Sequence, residues 1–215
     1  MVRILYAKFH KLVASLAPWR RHFRAFAQHL VDWGCPHDNL VAIFDGHFQA
    51  TCRPGGDANH SLTLHDNQTF SGKERLHGLK YQACVMPNGI CCVWGPWRGT
   101  EHDATMFANS GVIDDLARIS GEEGTDFSGY GDSAYPLHRH MQRILKAPAE
   151  GSLTRLQRRY NALMARFRVV IENCFGEAAQ YWGMLQHRHN LRLGKQQVGK
   201  MFQLAMLLFN LHSLL

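Results

Sequence analysis

Three acidic residues lie where a carboxylate costs a folded protein free energy. Asp45 follows the apolar run 40–44, Asp132 follows a glycine, and Glu172 interrupts the apolar stretch 167–176. A carboxylate at the end of a buried strand or inside an apolar helix is unfavourable unless a cation or hydrogen bonds compensate it. Three carboxylates that converge also repel one another, and a divalent metal with oxygen ligands relieves that repulsion. The set therefore indicates metal-dependent phosphodiester chemistry.

Each acid also has a purely structural interpretation. Asp45 could serve as a turn residue before Gly46, and Asp132 could cap a helix. Glu172 could pair with Arg168, which lies one helical turn earlier. In the metal-site interpretation, two Mg²⁺ or Mn²⁺ ions clamp the attacking and leaving oxygens of an in-line phosphoryl displacement. The residues alone leave both interpretations open.

Hydrophobic periodicity and turn residues predict the elements that must position these acids. In chain order they are two short helices within 2–33, a strand at 40–47, a loop at 53–67, an Asn-Gly hairpin of strands 79–86 and 90–94, a helix at 102–119, a loop at 121–125, a strand at 127–132, a short helix at 136–146, a long helix at 154–182 and a final helix at 195–213. In a mixed sheet with helices on its faces, functional groups collect at strand ends. We therefore expect an α/β fold with all three carboxylates at one edge of the sheet.

Composition narrows the class of protein. The 215 residues suit a single domain, and 46% hydrophobic with 19% charged residues is ordinary for a globular chain. A formal net charge of +7 favours a polyanionic partner, with nucleic acid first. The six cysteines are scattered without any CxxC pair, which favours a reducing intracellular compartment and gives no support to structural zinc. The most apolar stretch, 201–215, is too short to span a bilayer, so no membrane role is expected.

Several basic side chains between the first and third acids could contact DNA. Lys73, Arg75 and His77 would share one face of an extended chain, a geometry that suits a phosphate backbone, and the alternative is a solvated strand edge. The residues predicted to contact DNA are Lys73, Arg75, His77, Lys80, His102 and Arg168. Arg168 is expected either to steady Glu172 or to touch DNA.

His102 and Asp103 form a second candidate pair. Asp103 could cap a helix that starts near Ala104, or it could take part in the site. His102 could orient a water molecule or contact a phosphate. A zinc hydrolase built on this pair is the least favoured interpretation, because two neighbouring ligands lack a matched pair elsewhere.

Six blocks of the sequence resemble the nuclease domain of PIF/Harbinger-type DDE transposases. They are Phe-Asp-Gly (44–46), Phe-Ser-Gly-Lys with Leu-His-Gly-Leu-Lys-Tyr-Gln (70–82), Pro-Asn-Gly-Ile (87–90), Gly-Pro with Gly and His-Asp (95–103), Tyr-Gly-Asp-Ser-Ala-Tyr-Pro-Leu (130–137) and Arg-Val-Val-Ile-Glu-Asn-Cys-Phe-Gly (168–176), in the family's order. The resemblance implies an RNase H-like domain over 39–215, a mixed sheet flanked by helices, after an N-terminal helical segment at 1–38.

The same resemblance implies roles for individual residues. It assigns the catalytic and metal-binding triad to Asp45, Asp132 and Glu172, and it places Asp103 on the family's His-Asp motif as a metal ligand or a supporting residue. The family usually has Gly-Thr-His after the first acid, whereas this chain has Gly-His-Phe at 46–48, so we expect different local hydrogen bonding there.

The implied activity is that of a divalent-metal-dependent DNA endonuclease. It would hydrolyse a DNA strand at a transposon end, and a 3′-hydroxyl could then attack target DNA at the same site. Such transposases commonly carry an upstream helix-turn-helix region, for which 1–38 leaves little room, so we expect a fragment or a separate Myb-like or helix-turn-helix DNA-binding partner. A nuclear location is expected from the DNA substrate, and a homo-oligomer is compatible with it. The alternative is a domesticated, non-catalytic DNA- or protein-binding domain that retains the fold.

Overall fold

A computed structural model describes residues 2–54, 66–186, 191–193 and 196–214. Its helices are α1 (Val2–Val13), α2 (Phe23–Asp32), α3 (Asp66–Thr69), α4 (Asp103–Asn109), α5 (Val112–Glu123), α6 (Arg155–Tyr181) and α7 (Val198–Ser213). Its strands are β1 (Leu40–Thr51), β2 (Phe70–Ser71), β3 (Leu76–Val85), β4 (Cys91–Arg98), β5 (Ser128–Gly131) and β6 (Met141–Arg143). Short 3₁₀ turns occupy Ala17–His22 and Gly183–Leu185.

The strand β1 lies at the centre of a mixed sheet. It pairs antiparallel with β3 on one side and parallel with β5 on the other. Beyond β3 lie β4 and the short β2, both antiparallel to it, and beyond β5 lies the parallel β6. A mixed sheet with helices packed on it confirms the predicted α/β fold of RNase H-like type.

Two apolar clusters cover the two faces of this sheet. We call the side packed by α1, α6 and α7 the α6 face, and there Ile43 and Tyr81 meet Phe167 and Phe202. We call the side packed by α2, α4 and α5 the α5 face, and its buried side chains include Phe44. Because successive strand residues point to opposite faces, Ile43 joins the cluster of the α6 face, whereas its neighbours Ala42 and Phe44 join that of the α5 face.

Several predicted elements are confirmed. The N-terminal helices are separate, with a 3₁₀ turn around Pro18 between them. The hairpin of β3 and β4 forms, and its turn residue Gly89 has φ of 80°, a conformation that suits glycine. The long helix α6 begins after Thr154, whose hydroxyl accepts a hydrogen bond from the backbone N–H of Gln157 in a reciprocal capping box.

Three predicted elements are wrong. β1 continues to Thr51 because its second half pairs with β3, so Asp45 lies inside the strand rather than at its end. The helix predicted at 102–119 is two helices, α4 and α5, divided at Gly111, where φ is 71°. The segment predicted as a short helix at 136–146 contains β6, since its residues pair with β5. In each case a tertiary pairing or a glycine turn overrides the local pattern.

The remaining boundaries differ by a few residues. α5 extends to Glu123, into the loop predicted at 121–125, and α7 begins at Val198. Most of the loop predicted at 53–67 lies outside the described residues, and α3 forms its last part and the residues after it. No disulfide joins the six cysteines, all of which are described. None of the helices in the described ranges is both long and apolar enough to cross a membrane.

Candidate active site

Asp45 and Asp132 are brought together by the parallel pairing of β1 with β5. Ile43 stands opposite Tyr130 in that pairing, and each acid lies two residues further along its own strand direction. The two carboxyl groups are close enough for the charge of Asp132 to raise the pKa of Asp45. The predicted convergence of these two acids is therefore seen just beyond the last paired residues of the parallel segment of β1 and β5, a position where α/β folds place functional groups.

Asp45 is held in an unfavourable environment for a carboxylate. Its side chain is 20% exposed, and burial raises the pKa of this carboxyl above its ordinary value. The guanidinium of Arg168 and the backbone N–H of Gly46, which donates to Oδ1 over 2.9 Å, both lower that pKa. The rise from burial exceeds these compensations, so Asp45 is a group that a further cation would stabilise.

The helix α6 supplies a cation and a third acid. Nη2 of Arg168 lies 3.4 Å from Oδ2 of Asp45 and 4.0 Å from Oε1 of Glu172. The predicted pairing of Arg168 with Glu172 is thus present, and the contact with Asp45 across the sheet is an addition that the sequence did not predict. Glu172 has a 63% exposed side chain, so it is free to change rotamer.

Asp132 is oriented by the backbone that follows β5. Its Oδ1 accepts a hydrogen bond of 2.8 Å from the backbone N–H of Ala134. No helix starts here in the described structure, so the interpretation of Asp132 as a helix cap is wrong and the contact belongs to a tight turn. The second carboxylate oxygen is not used by this turn.

Asp103 approaches the site from α4. The N-cap of α4 is His102, so Asp103 is the first helical residue rather than the cap. A Cβ at Gly46 would stand 2.9 Å from Oδ1 of Asp103, which places this carboxylate against the backbone beside Asp45. Nζ of Lys80 lies 3.4 Å from the same oxygen and donates to the carbonyl of Glu101 over 2.7 Å.

A buried pair beneath the acids was not predicted as part of the site. The hydroxyl of Tyr135 and the side-chain amide of Gln82 hydrogen-bond to each other over 2.9–3.1 Å, and both residues are fully buried. Burial raises the pKa of Tyr135, and the negative charges of Asp45, Asp103 and Asp132 raise it further. Tyr135 is thus a packed core residue, and a glutamine within an apolar strand run was the available signal for Gln82.

His47 is enclosed by aromatic rings on the α6 face. Its ring centroid lies 4.6 Å from that of Phe202 in a stacked arrangement and 4.5 Å from that of Phe175. Burial lowers the pKa of His47 to about 4. The departure from the family's Gly-Thr-His therefore places a half-buried, uncharged imidazole against aromatic rings beside the site.

The residues predicted to contact DNA are spread around the site. Lys73 and Arg75 lie in the turn between β2 and β3, where Arg75 has φ of 55°, so the predicted extended face is wrong. His77 lies on β3, and its Nδ1 is 3.0 Å from the hydroxyl of Thr69. His102 is exposed. Lys80 and Arg168 are instead engaged with acids, as described above.

The acids are the right type of ligand for a hard divalent cation, but only two of them lie close together. Across the described parts of the chain, no three His, Cys, Asp or Glu side chains are grouped closely enough to hold a metal ion. Asp45 and Asp132 are nonetheless adjacent and offer the oxygen ligands that Mg²⁺ and Mn²⁺ prefer. Glu172 has to turn inward past Arg168 to complete the set.

Comparisons with known proteins bear on the family of this chain. A family model described as DDE superfamily endonuclease matches residues 50–210, a range that includes Asp103, Asp132 and Glu172 and begins just after Asp45. A protein of Microchaete diplosiphon named "Probable transposase for insertion sequence element IS702" is 30% identical over 107 residues, which are 48% of this chain and 36% of that protein. The match thus spans little more than a third of that relative. No solved structure matches the chain.

Proposed function

The chain belongs to the DDE superfamily of endonucleases, and from this premise we propose that it is a metal-dependent DNA nuclease of the transposase type. The observation that carries the proposal is the adjacency of Asp45 and Asp132 just beyond the parallel pairing of β1 with β5. A purely structural role for Asp45 is disfavoured, because burial makes its carboxylate a cost to the fold.

We assign the metal ligands to Asp45, Asp132 and Glu172, with Asp103 beside them. When bound, two Mg²⁺ or Mn²⁺ ions lower the pKa of water and neutralise charge that develops in an in-line displacement at phosphorus. The protein orients the first two ligands through main-chain donors, the N–H of Gly46 for Asp45 and the N–H of Ala134 for Asp132. These main-chain contacts use Oδ1 of each aspartate, and Oδ2 of Asp45 faces the guanidinium of Arg168.

The basic groups divide between two proposed roles. Lys73, Arg75 and His102 are exposed and are proposed to contact the phosphate backbone of DNA. Lys80 and Arg168 are drawn toward carboxylates and are proposed to balance charge in the site. Five further points stay predictions: the PIF/Harbinger subtype, strand transfer, a Myb-like or helix-turn-helix partner, a homo-oligomer and a nuclear location.

Nicking of supercoiled plasmid tests the proposal. The purified chain is incubated with Mg²⁺, Mn²⁺ or EDTA, alongside Asp45→Asn and Asp132→Asn. Nicking should require the metal and should fall more than about 100-fold in either variant, since even the outer partners of a metal site are worth about 10–100-fold. Asp114→Asn is the matched control, because Asp114 is an exposed acid on α5.

The outcome also separates the proposal from its alternative. Nicking that survives Asp132→Asn contradicts the site assignment. Retention of DNA by the wild type and both variants, without nicking under any metal, favours a non-catalytic binding domain. The plasmid carries no sequence requirement, so this first assay does not depend on knowing a transposon end.

A further inference from the structure

Arg168 places a positive charge among the acids without any bound ion. Its side chain is 25% exposed, and its Nη2 stands between Asp45 and Glu172 at 3.4 and 4.0 Å. Its charge also acts on the buried hydroxyl of Tyr130 on β5, so the guanidinium lies where the strand carrying Asp132 and the helix carrying Glu172 meet. No other basic side chain in the described ranges forms an ion pair with Asp45.

The contacts of Arg168 are those of a displaceable cation. Optimised guanidinium–carboxylate bonds are about 2.7–2.9 Å long and often bidentate, whereas these two distances are longer and each uses a single oxygen. Nε of Arg168 and the hydroxyl of Tyr130 are both buried, and neither has a hydrogen-bond partner among the described residues. A permanent structural ion pair would satisfy these donors, because an unpaired buried polar group is costly.

We propose that Arg168 is a positioning residue that sets the affinity of the site for divalent metal. In the metal-free protein it serves as the counter-ion that keeps Asp45 and Glu172 near each other. A divalent ion competes with it for the same oxygens, and its arrival moves the guanidinium away from them. This inference rests on the proposed function, because it assumes that Asp45 and Glu172 are metal ligands.

The simplest competing explanation is that Arg168 only supports the fold. The two explanations differ in what happens when the charge is removed. Loss of a purely structural contact lowers stability equally with and without metal. Loss of a competing cation lowers the stability of the metal-free protein and strengthens metal binding, because the site then holds one more uncompensated negative charge.

Mn²⁺ binding and thermal stability test the inference together. Affinity for Mn²⁺ is measured by electron paramagnetic resonance titration, and Tm is measured in EDTA and in saturating Mn²⁺. We expect Arg168→Gln to bind Mn²⁺ about tenfold more tightly than the wild type, with a lower Tm in EDTA and a larger rise in Tm on adding Mn²⁺. Arg168→Lys keeps the charge and should stay within about threefold of the wild type.

The controls make the outcomes distinct. Arg166→Gln removes an exposed charge two residues away on the same helix and should change neither measurement. If the wild type binds Mn²⁺ and Asp45→Asn does not, while Arg168→Gln binds with unchanged affinity, the inference is overturned and the proposed metal site stands. If neither the wild type nor Arg168→Gln binds Mn²⁺, the metal site itself is overturned.

Discussion

The two faces of β1 differ in what they contribute to the protein. On the α5 face, Phe44 packs in an apolar cluster whose polar members, Gln82 and Tyr135, hydrogen-bond to each other. On the α6 face, the same strand presents Asp45 and His47 in alternate positions. Both faces are packed by apolar clusters, but the α6 face also keeps ionisable side chains in apolar surroundings. The comparison indicates that the α6 face gives up some stability at these two positions for the site.

The α6 face tolerates its polar groups because each has a specific neighbour. Asp45 meets Arg168, His47 is stacked between aromatic rings, and Gln49 donates a hydrogen bond of 2.7 Å to the carbonyl of Leu185. Gln49 is satisfied by this neutral hydrogen bond. Asp45 and His47 instead keep titratable side chains with shifted pKa values. The four predictions that follow test the difference between the two faces.

The largest expected effect is on the α5 face. Phe44 is fully buried, and a Cβ at Gly129 would stand 2.3 Å from its ring, so the strand next to it is packed against the aromatic edge. Phe44→Ala should lower the free energy of unfolding by about 3–5 kcal/mol, through lost burial and the cavity left behind. Urea denaturation measures the change. Phe70→Ala, at a 44% exposed phenylalanine, should cost far less.

The second prediction concerns the pH dependence of the α6 face. Because burial lowers the pKa of His47 to about 4 from an ordinary 6.5, the unfolded chain takes up a proton in this range before the folded protein does. Stability should therefore fall by about 3 kcal/mol as the pH drops from 6.5 to 4 and be fully present above 6.5. His47→Phe keeps an aromatic ring in the stack and should remove most of this dependence in denaturation curves across the window. An unchanged slope would contradict the buried neutral imidazole.

A smaller effect is expected at the polar pair of the α5 face. Tyr135→Phe leaves Oε1 of Gln82 without the hydroxyl donor it has at 3.1 Å, which should cost about 1–3 kcal/mol. Adding Gln82→Leu to the same chain removes the unsatisfied group and should recover part of the loss. Tyr181→Phe, at a 57% exposed tyrosine, is the control and should be nearly neutral in the same measurement.

The smallest expected effect is a gain in thermal stability when Asp45 loses its charge. Since burial raises the pKa of Asp45, its ionised form destabilises the metal-free fold at neutral pH, and Asp45→Asn should raise Tm in EDTA at pH 7. The gain should shrink as the pH falls through the raised pKa, because the wild-type carboxyl then becomes neutral. Asp114→Asn should show no gain. A lower Tm for Asp45→Asn would mean that its ion pair with Arg168 outweighs the burial of the charge.

Local patterns predicted much of the element order. The Asn-Gly turn between two apolar runs predicted the hairpin, and the long helix predicted to start at residue 154 is α6, with Thr154 as its N-cap. Local sequence patterns were not sufficient where pairing with a neighbouring strand decides whether a segment is a strand. β6 has no strand signal of its own, since three residues become a strand only beside β5. The length of β1 was underestimated for the same reason, because polar residues after Asp45 are held by β3.

The sequence by itself determined which chemistry is available, because residue types and their order place Asp45 on a strand, Asp132 after a later strand and Glu172 on a following helix. Only the tertiary structure decided how those groups meet. The parallel register of β1 with β5 sets the two aspartates side by side, and the packing of α6 brings Arg168 against Asp45 while Glu172 stays exposed. The physical reason is that pKa shifts and ion pairs depend on distance and burial, and neither exists until distant segments pack together.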